Sequence, residues 1–217
     1  MSNFSKEKYA LALQEIRERL YSAGVLSEKD NIVFIESTAL QIRKILELIA
    51  YLSVLVNVDK LSHKEKHDWH PGRIIDALKT KTTIFYPLPG KVIFAEGKDS
   101  GPVIVPLVSE YVLSLEEFLE TYNQCGKILH AQHPLKDETD YASYFRSNSR
   151  VLDKVRALLR NHVIAIRHDS TKYTFLSVEF DFSNDEKSKP TYLREHKTKI
   201  FNEMELTSLF AELWKKH

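Results

Sequence analysis

Apolar residues in this chain recur at helical spacing over its first 80 residues and again over residues 114–160, then alternate in the last quarter. In Phe4–Ala23, Tyr9, Leu13, Ile16 and Leu20 fall on one stripe, with Gly24 as the expected stop. Ser27 and Asp30 read as an acidic variant of the capping box, opening a second helix that runs to about Val58. Lys60–Arg73 is a polar connection ending in Pro-Gly, and a short helix, Arg73–Lys79, follows. Thr83–Ser114 holds four prolines and three glycines, which predicts short extended pieces and turns. Ser114 with Glu117 forms a capping box for a helix to about His130, and another helix spans about Tyr141–Arg160.

The period then changes to two. His162–Phe182 reads as a hairpin turning around Asp169–Thr171, with Thr174, Leu176, Val178 and Phe180 on one face of its second strand. Thr191–Ile200 supplies a third antiparallel strand, and Asn202 caps a last helix, Glu203–Lys216. The expected fold is α+β: a mainly helical body with a small C-terminal antiparallel sheet of about three strands, organised as a single domain over residues 1–217. Its parts are N-terminal helices (1–80), an extended and turn segment (83–113), helices (114–160), antiparallel strands (162–201) and the closing helix (203–216).

Composition narrows the function classes. With 217 residues, 43% hydrophobic and 28% charged, the chain can bury a core without disulfides or metals. A net charge of +1 excludes a general polyanion binder. The single cysteine, Cys125, and a first segment without an apolar signal core predict a cytoplasmic protein. Leu48–Val58, the uncharged part of the second helix, is about half the ~20 residues that a membrane span needs, so no membrane role is expected.

That second helix nevertheless carries charge inside an apolar run. Glu36, Arg43 and Glu47 lie within about 40° of one another on the helix wheel. Two carboxylates flanking a guanidinium either lock the packing or line a pocket able to hold a phosphate or position a base. A third reading makes the helix a contact with a second copy of the chain. "YNQCGKILHAQHP" (Tyr122–Pro134) adds Cys125, a mid-helix Gly126 and His130–His133 at chelating spacing. His63, His67 and His70 repeat the spacing. One cysteine with no Cys-x-x-Cys partner does not make a zinc pattern, so no metal or cofactor is assigned. Cys125 reads as a small buried hydrophobe, activated only if a cation such as His130 or Lys127 lies close. The catalytic candidates are therefore Glu36, Arg43, Glu47, Cys125 and His130.

The other candidate is a basic helix. Arg146, Arg150, Lys154, Arg156 and Arg160 face Asp153 as the sole acid between Phe145 and His168. Such a face can track a phosphate backbone, with Arg167, Arg194, His196, Lys197 and Lys199 extending it. Arg156–His162 also resembles the Arg-x4–6-His signature of HEPN-type ribonucleases, which implies a metal-independent ribonuclease with an all-helical fold. In a continuous helix, however, the two residues lie about 120° apart, with His162 on the apolar side.

Taken together, "ESTALQIRKILELIA", "CGKILHAQHP" and "LLRNHVIAI" resemble an uncharacterised family of small bacterial proteins. Those share an "LQLRKILE"-like helix, a "CGxxLHxxNP"-like string and a late hairpin; His133 stands here in place of the Asn. The resemblance implies no activity. Three readings follow. The first is a binding protein whose basic helix meets an anionic partner, nucleic acid included. The second is an enzyme, either a ribonuclease or one with a Glu/Arg/His pocket for a small molecule. The third is a structural partner that self-associates.

Overall fold

The computed structural model describes residues 3–82, 85–94, 102–106, 111–131, 139–167, 173–182 and 192–197. Helices α1 (Lys6–Leu26), α2 (Ile32–Val56), α3 (His63–Lys66) and α4 (Pro71–Lys79) come first. Strands β1 (Leu88–Phe94) and β2 (Pro102–Pro106) follow, then α5 (Leu115–Ile128) and α6 (Tyr141–Arg160). Strands β3 (Asn161–Arg167), β4 (Tyr173–Glu179) and β5 (Tyr192–Lys197) complete the described elements. The expected closing helix and the Asp169–Thr171 turn lie outside the described residues.

Helix α2 is the centre of the helical body, packed against α1, α4, α5 and α6. Thirteen of its residues are buried, from Ile35 to Val56. That burial explains its apolar composition, since a helix enclosed on most sides needs no polar face there. Among the described residues, no helix is long and apolar enough to cross a membrane.

Several boundaries differ from the sequence reading. Gly24 does not stop α1, which runs on to Leu26. A Cβ at position 24 would stand 3.5 Å from the Arg156 guanidinium, an ordinary van der Waals distance, so the helix passes through the glycine without any close approach requiring it. Ser27 does not open α2 either. It closes α1, its hydroxyl donating to the Gly24 carbonyl at 2.8 Å. Asn31 caps α2 by accepting the Val33 amide at 2.9 Å. The polar connection contains one helical turn, α3, with a Ser62–Glu65 capping box. α4 begins two residues earlier than expected, because Pro71 suits the first helical position, where no amide proton is needed. The Ser114–Glu117 capping box forms as expected.

The three C-terminal strands pair antiparallel as the alternation predicts. The proline-rich segment adds a hairpin, making a five-stranded sheet in the order β2-β1-β3-β4-β5. Pro102 and Pro106 are tolerated because β2 is the edge strand. Leu176 stands opposite Ile164 and Val178 opposite His162, so these four share one face. Val163, Ala165 and Phe175 point the other way, and all seven are buried. Strands β3 and β4 are thus covered on both faces.

Helix α6 passes into β3 with no intervening residue. Its last carbonyls need partners. His162 Nδ1 donates to the Leu159 carbonyl at 2.8 Å, and the Phe180 amide donates to the Arg160 carbonyl at 2.9 Å. The sheet itself therefore caps the helix.

Candidate functional site

The charged line of α2 is real but divided. Arg43 Nη2 donates to the Tyr122 hydroxyl of α5 at 2.7 Å, and its guanidinium lies 4.3 Å from the Tyr122 ring centroid, a cation–π contact. Its Nε is 3.5 Å from Glu47 Oε1. The other Glu47 oxygen accepts from Lys44 at 2.8 Å. Glu47 is 8% exposed, so the carboxylate is held almost out of water by two cations. Glu36 lies about 10 Å along the helix from Arg43 and accepts a 3.2 Å hydrogen bond from Tyr141, at the start of α6.

Gly126 explains how α5 comes so near. A Cβ there would lie 2.7 Å from Arg43 Nη1. The glycine lets the guanidinium rest on α5, and its mid-helix cost of about 1 kcal/mol is offset by that contact. This predicts a sign change in a double-mutant cycle. Gly126→Ala displaces Arg43 and destabilises the protein by about 1 kcal/mol. In an Arg43→Ala background the same change stabilises it by about 1 kcal/mol, since only helix propensity remains. Urea unfolding of the four proteins measures both.

Cys125 is buried, and burial pushes its thiol up to about 12 despite the opposing pull of Arg43. It is therefore a protonated packing group, not a thiolate nucleophile. His130 lies beyond the end of α5 and is exposed. The structure thus brings Arg43 and Glu47 together, sends Glu36 to a separate contact with Tyr141 and leaves His130 on the surface.

His70, read above only for its histidine spacing, joins the aromatic surroundings of Arg43 through Tyr122. Its ring meets Tyr122 edge-on at 5.5 Å and Trp69 at 5.9 Å, and Arg73 stacks over Trp69 at 5.5 Å. The available signal was the Trp-His-Pro-Gly-Arg string, which places two rings and a cation at a helix start. His63 and His67 stack on each other at 4.4 Å. Among the described residues, no three His, Cys, Asp or Glu side chains gather as a metal-binding set; His133 lies outside those residues.

The basic helix is less uniform than its sequence. Lys154, counted above with the surface cations, is only 9% exposed and pairs with Glu117 of α5. On the wheel it stands about 80° from Arg146, which turns it toward α5. Arg156 is half-buried, bonded to Asp153 at 2.8 Å, with its guanidinium near Gly24 of α1. Arg146, Arg150 and Arg160 are exposed, and among the described residues none of the three has a carboxylate partner. A cleft of about 220 Å³ runs between α5 and α6, lined by Glu117, Thr121 and Gln124 on one side and Ser147, Arg150 and Lys154 on the other. The side chains of Arg167, Arg194, His196 and Lys197, and residue Lys199, lie outside the described set.

Arg156 and His162 do not form a joint site. His162 is fully buried. Because Nδ1 donates to a carbonyl, Nε2 carries the lone pair and accepts from the Tyr9 hydroxyl at 2.9 Å. Burial pushes the imidazole down to about 4, opposed only by the Leu159 hydrogen bond. The ring is a neutral structural bridge between α1 and the α6–β3 junction.

Comparison with protein-family models, with curated proteins and with solved structures finds no match to this chain.

Proposed function

We propose that the protein is a non-catalytic binding protein that meets a nucleic-acid backbone with the outer face of α6. The observation that carries this reading is the set of three exposed guanidiniums on one arc: Arg146, Arg150 and Arg160, none with a carboxylate partner among the described residues. They fall within about 80° of the helix wheel, at axial intervals of about 6 Å and about 15 Å, so Arg146 and Arg150 suit neighbouring phosphates and Arg160 one farther along the backbone. The catalytic candidates favour no reaction. Arg43 and Glu47 neutralise each other against Tyr122, the Cys125 thiol stays protonated, and His162 is enclosed. Net charge near neutrality makes the contact local and moderate rather than a general attraction to polyanions.

A mobility-shift titration tests this. The wild type binds single-stranded RNA or DNA at low salt, with log K falling against log salt at a slope of roughly −2 for three phosphate contacts. The triple variant R146E/R150E/R160E keeps its melting temperature, because all three side chains are exposed, and loses the shift. No binding by the wild type at low salt overturns the proposal.

A further inference from the structure

Building on the nucleic-acid role of α6, on which it rests, we propose that the cleft between α5 and α6 receives one unpaired base of the strand whose phosphates the arginines hold. The protein is then a binder of single strands, with a base site beside its phosphate contacts. The starting point is how the two helices face each other. Both pack on α2, and helices set side by side ordinarily close on one another with apolar ridges. Here the facing rows are polar. Glu117, Thr121 and Gln124 lie on successive turns of α5, and Lys154, Arg150 and Ser147 on successive turns of α6. Glu117 pairs with Lys154 at one end, and the cleft runs on to Gln124 and Ser147. The rows are therefore antiparallel, with Thr121 level with Arg150 and Gln124 level with Ser147.

Size and chemistry select the occupant. About 220 Å³ is less than the roughly 300–1,000 Å³ of a site for a drug-sized molecule, and it suits a single planar ring system. The charges at the closed end cancel. One Glu117 oxygen is held by Lys154 and the other accepts the Ser114 amide, so that end holds no net charge to draw a free ion. The rest of the lining is neutral hydrogen-bonding capacity between apolar walls, Leu113 and Val151. Thr121 and Gln124 each offer a donor and an acceptor. Ser147 gives its hydroxyl proton to the Tyr144 carbonyl at 3.1 Å, which leaves its lone pairs to accept. The edge of an unpaired base carries the matching set of N–H donors and nitrogen or carbonyl acceptors on a flat apolar body.

The two rims differ in charge, and this orients the strand. Arg150 lines the cleft and also forms the edge of the arginine arc nearest to it, about 40° from Arg146 toward the row of Ser147 and Lys154. The opposite rim carries the exposed Glu120, whose carboxylate disfavours a phosphate on that side. The backbone therefore follows α6 and turns its base toward α5. In a duplex the bases are stacked and paired, so none is free to enter.

Fluorescence anisotropy with three probes tests this: a short single-stranded DNA of mixed sequence, the same sugar–phosphate strand without bases, and the corresponding duplex. The wild type binds the intact strand at least about fivefold more tightly than the abasic one. Ser147→Phe plugs the cleft from a half-buried position whose hydroxyl bonds only within its own helix. It removes that fivefold advantage, leaves abasic and duplex binding as they were, and keeps the salt slope of the wild type because the phosphate contacts remain. Equal binding of intact and abasic strands by the wild type overturns the proposal and leaves the α6 contact standing. Binding of neither strand at low salt overturns both. A Ser147→Phe protein with the melting temperature of the wild type and undiminished affinity for the intact strand also overturns the proposal. The abasic comparison needs no variant, so it decides the matter even where Ser147→Phe does not fold.

Discussion

Lowering the pH from 7 to 4 removes about 3 kcal/mol more stability from the wild-type protein than from His162→Gln. In the folded chain His162 has no access to water, and both ring nitrogens are used as a neutral imidazole uses them. Adding a proton at Nε2 would put a charge in a site without water and leave the Tyr9 hydroxyl proton, which burial keeps in place, without its acceptor. The folded-state value is pushed down to about 4 from the ordinary 6.5. Between those two pH values the unfolded chain binds the proton and the folded chain does not. Stability from this group is therefore complete above about pH 6.5 and is lost as the pH falls toward 4. Each pH unit is worth about 1.4 kcal/mol, which gives the figure above. Glutamine can give an N–H to Leu159 and accept from Tyr9, but it does not titrate. Chemical denaturation at pH 7, 5.5 and 4 measures the difference, within which the surface carboxylates cancel. Parallel curves for the two proteins would mean that the ring is protonated inside the fold.

Lys154→Met is the second large effect, expected to cost about 2–3 kcal/mol. This lies slightly below the 3–5 kcal/mol typical of breaking a fully buried pair, since water still reaches the edge of both groups along the cleft. The methionine fills the same volume but leaves the Glu117 carboxylate without its cation. Glu117 also accepts the Ser114 amide at the start of α5, at 3.2 Å. One carboxylate thus ties the helix cap to α6. Burial raises its pKa, but hydrogen bonds from Lys154 and Ser114 outweigh burial and leave it below the ordinary value. The variant should lose this pair while keeping, at concentrations where it is folded, the mobility shift that the proposal expects of the wild type. Thermal melts and the mobility shift, run on one preparation, separate the two roles. Loss of binding with no loss of stability would return Lys154 to the contact surface.

Much of the architecture was legible because its signals are local. Asp140 accepts the Ser143 amide at 3.0 Å and opens α6 where the apolar period begins, and Ser114 with Glu117 opens α5. The β3–β4 hairpin follows from alternation alone. The misplaced positions have separate causes. Gly24 resembles a stop, but α1 runs through it to Leu26 and Ser27 closes the helix. The prolines at 89, 102 and 106 fall in the short extended pieces expected there, at an edge strand and a strand start. Lys154 resembles a surface cation, but α5, distant in sequence, supplies Glu117. The line from Glu36 to Glu47 was visible from spacing. Its division between Tyr141 and Tyr122 was not, because spacing shows which residues share a face and not which element lies across from it.

The abutment of α6 and β3 has a mechanical meaning. With no hinge between Arg160 and Asn161, and with both final helix carbonyls claimed by the sheet, the helix cannot swivel without tearing strand pairing. A single inserted residue would turn the following strand over, exchanging its two covered faces. Any load that a bound partner places on α6 is passed straight into the strands, so the arginine face is presented at a fixed angle and its bearing cannot be retuned by lengthening a linker.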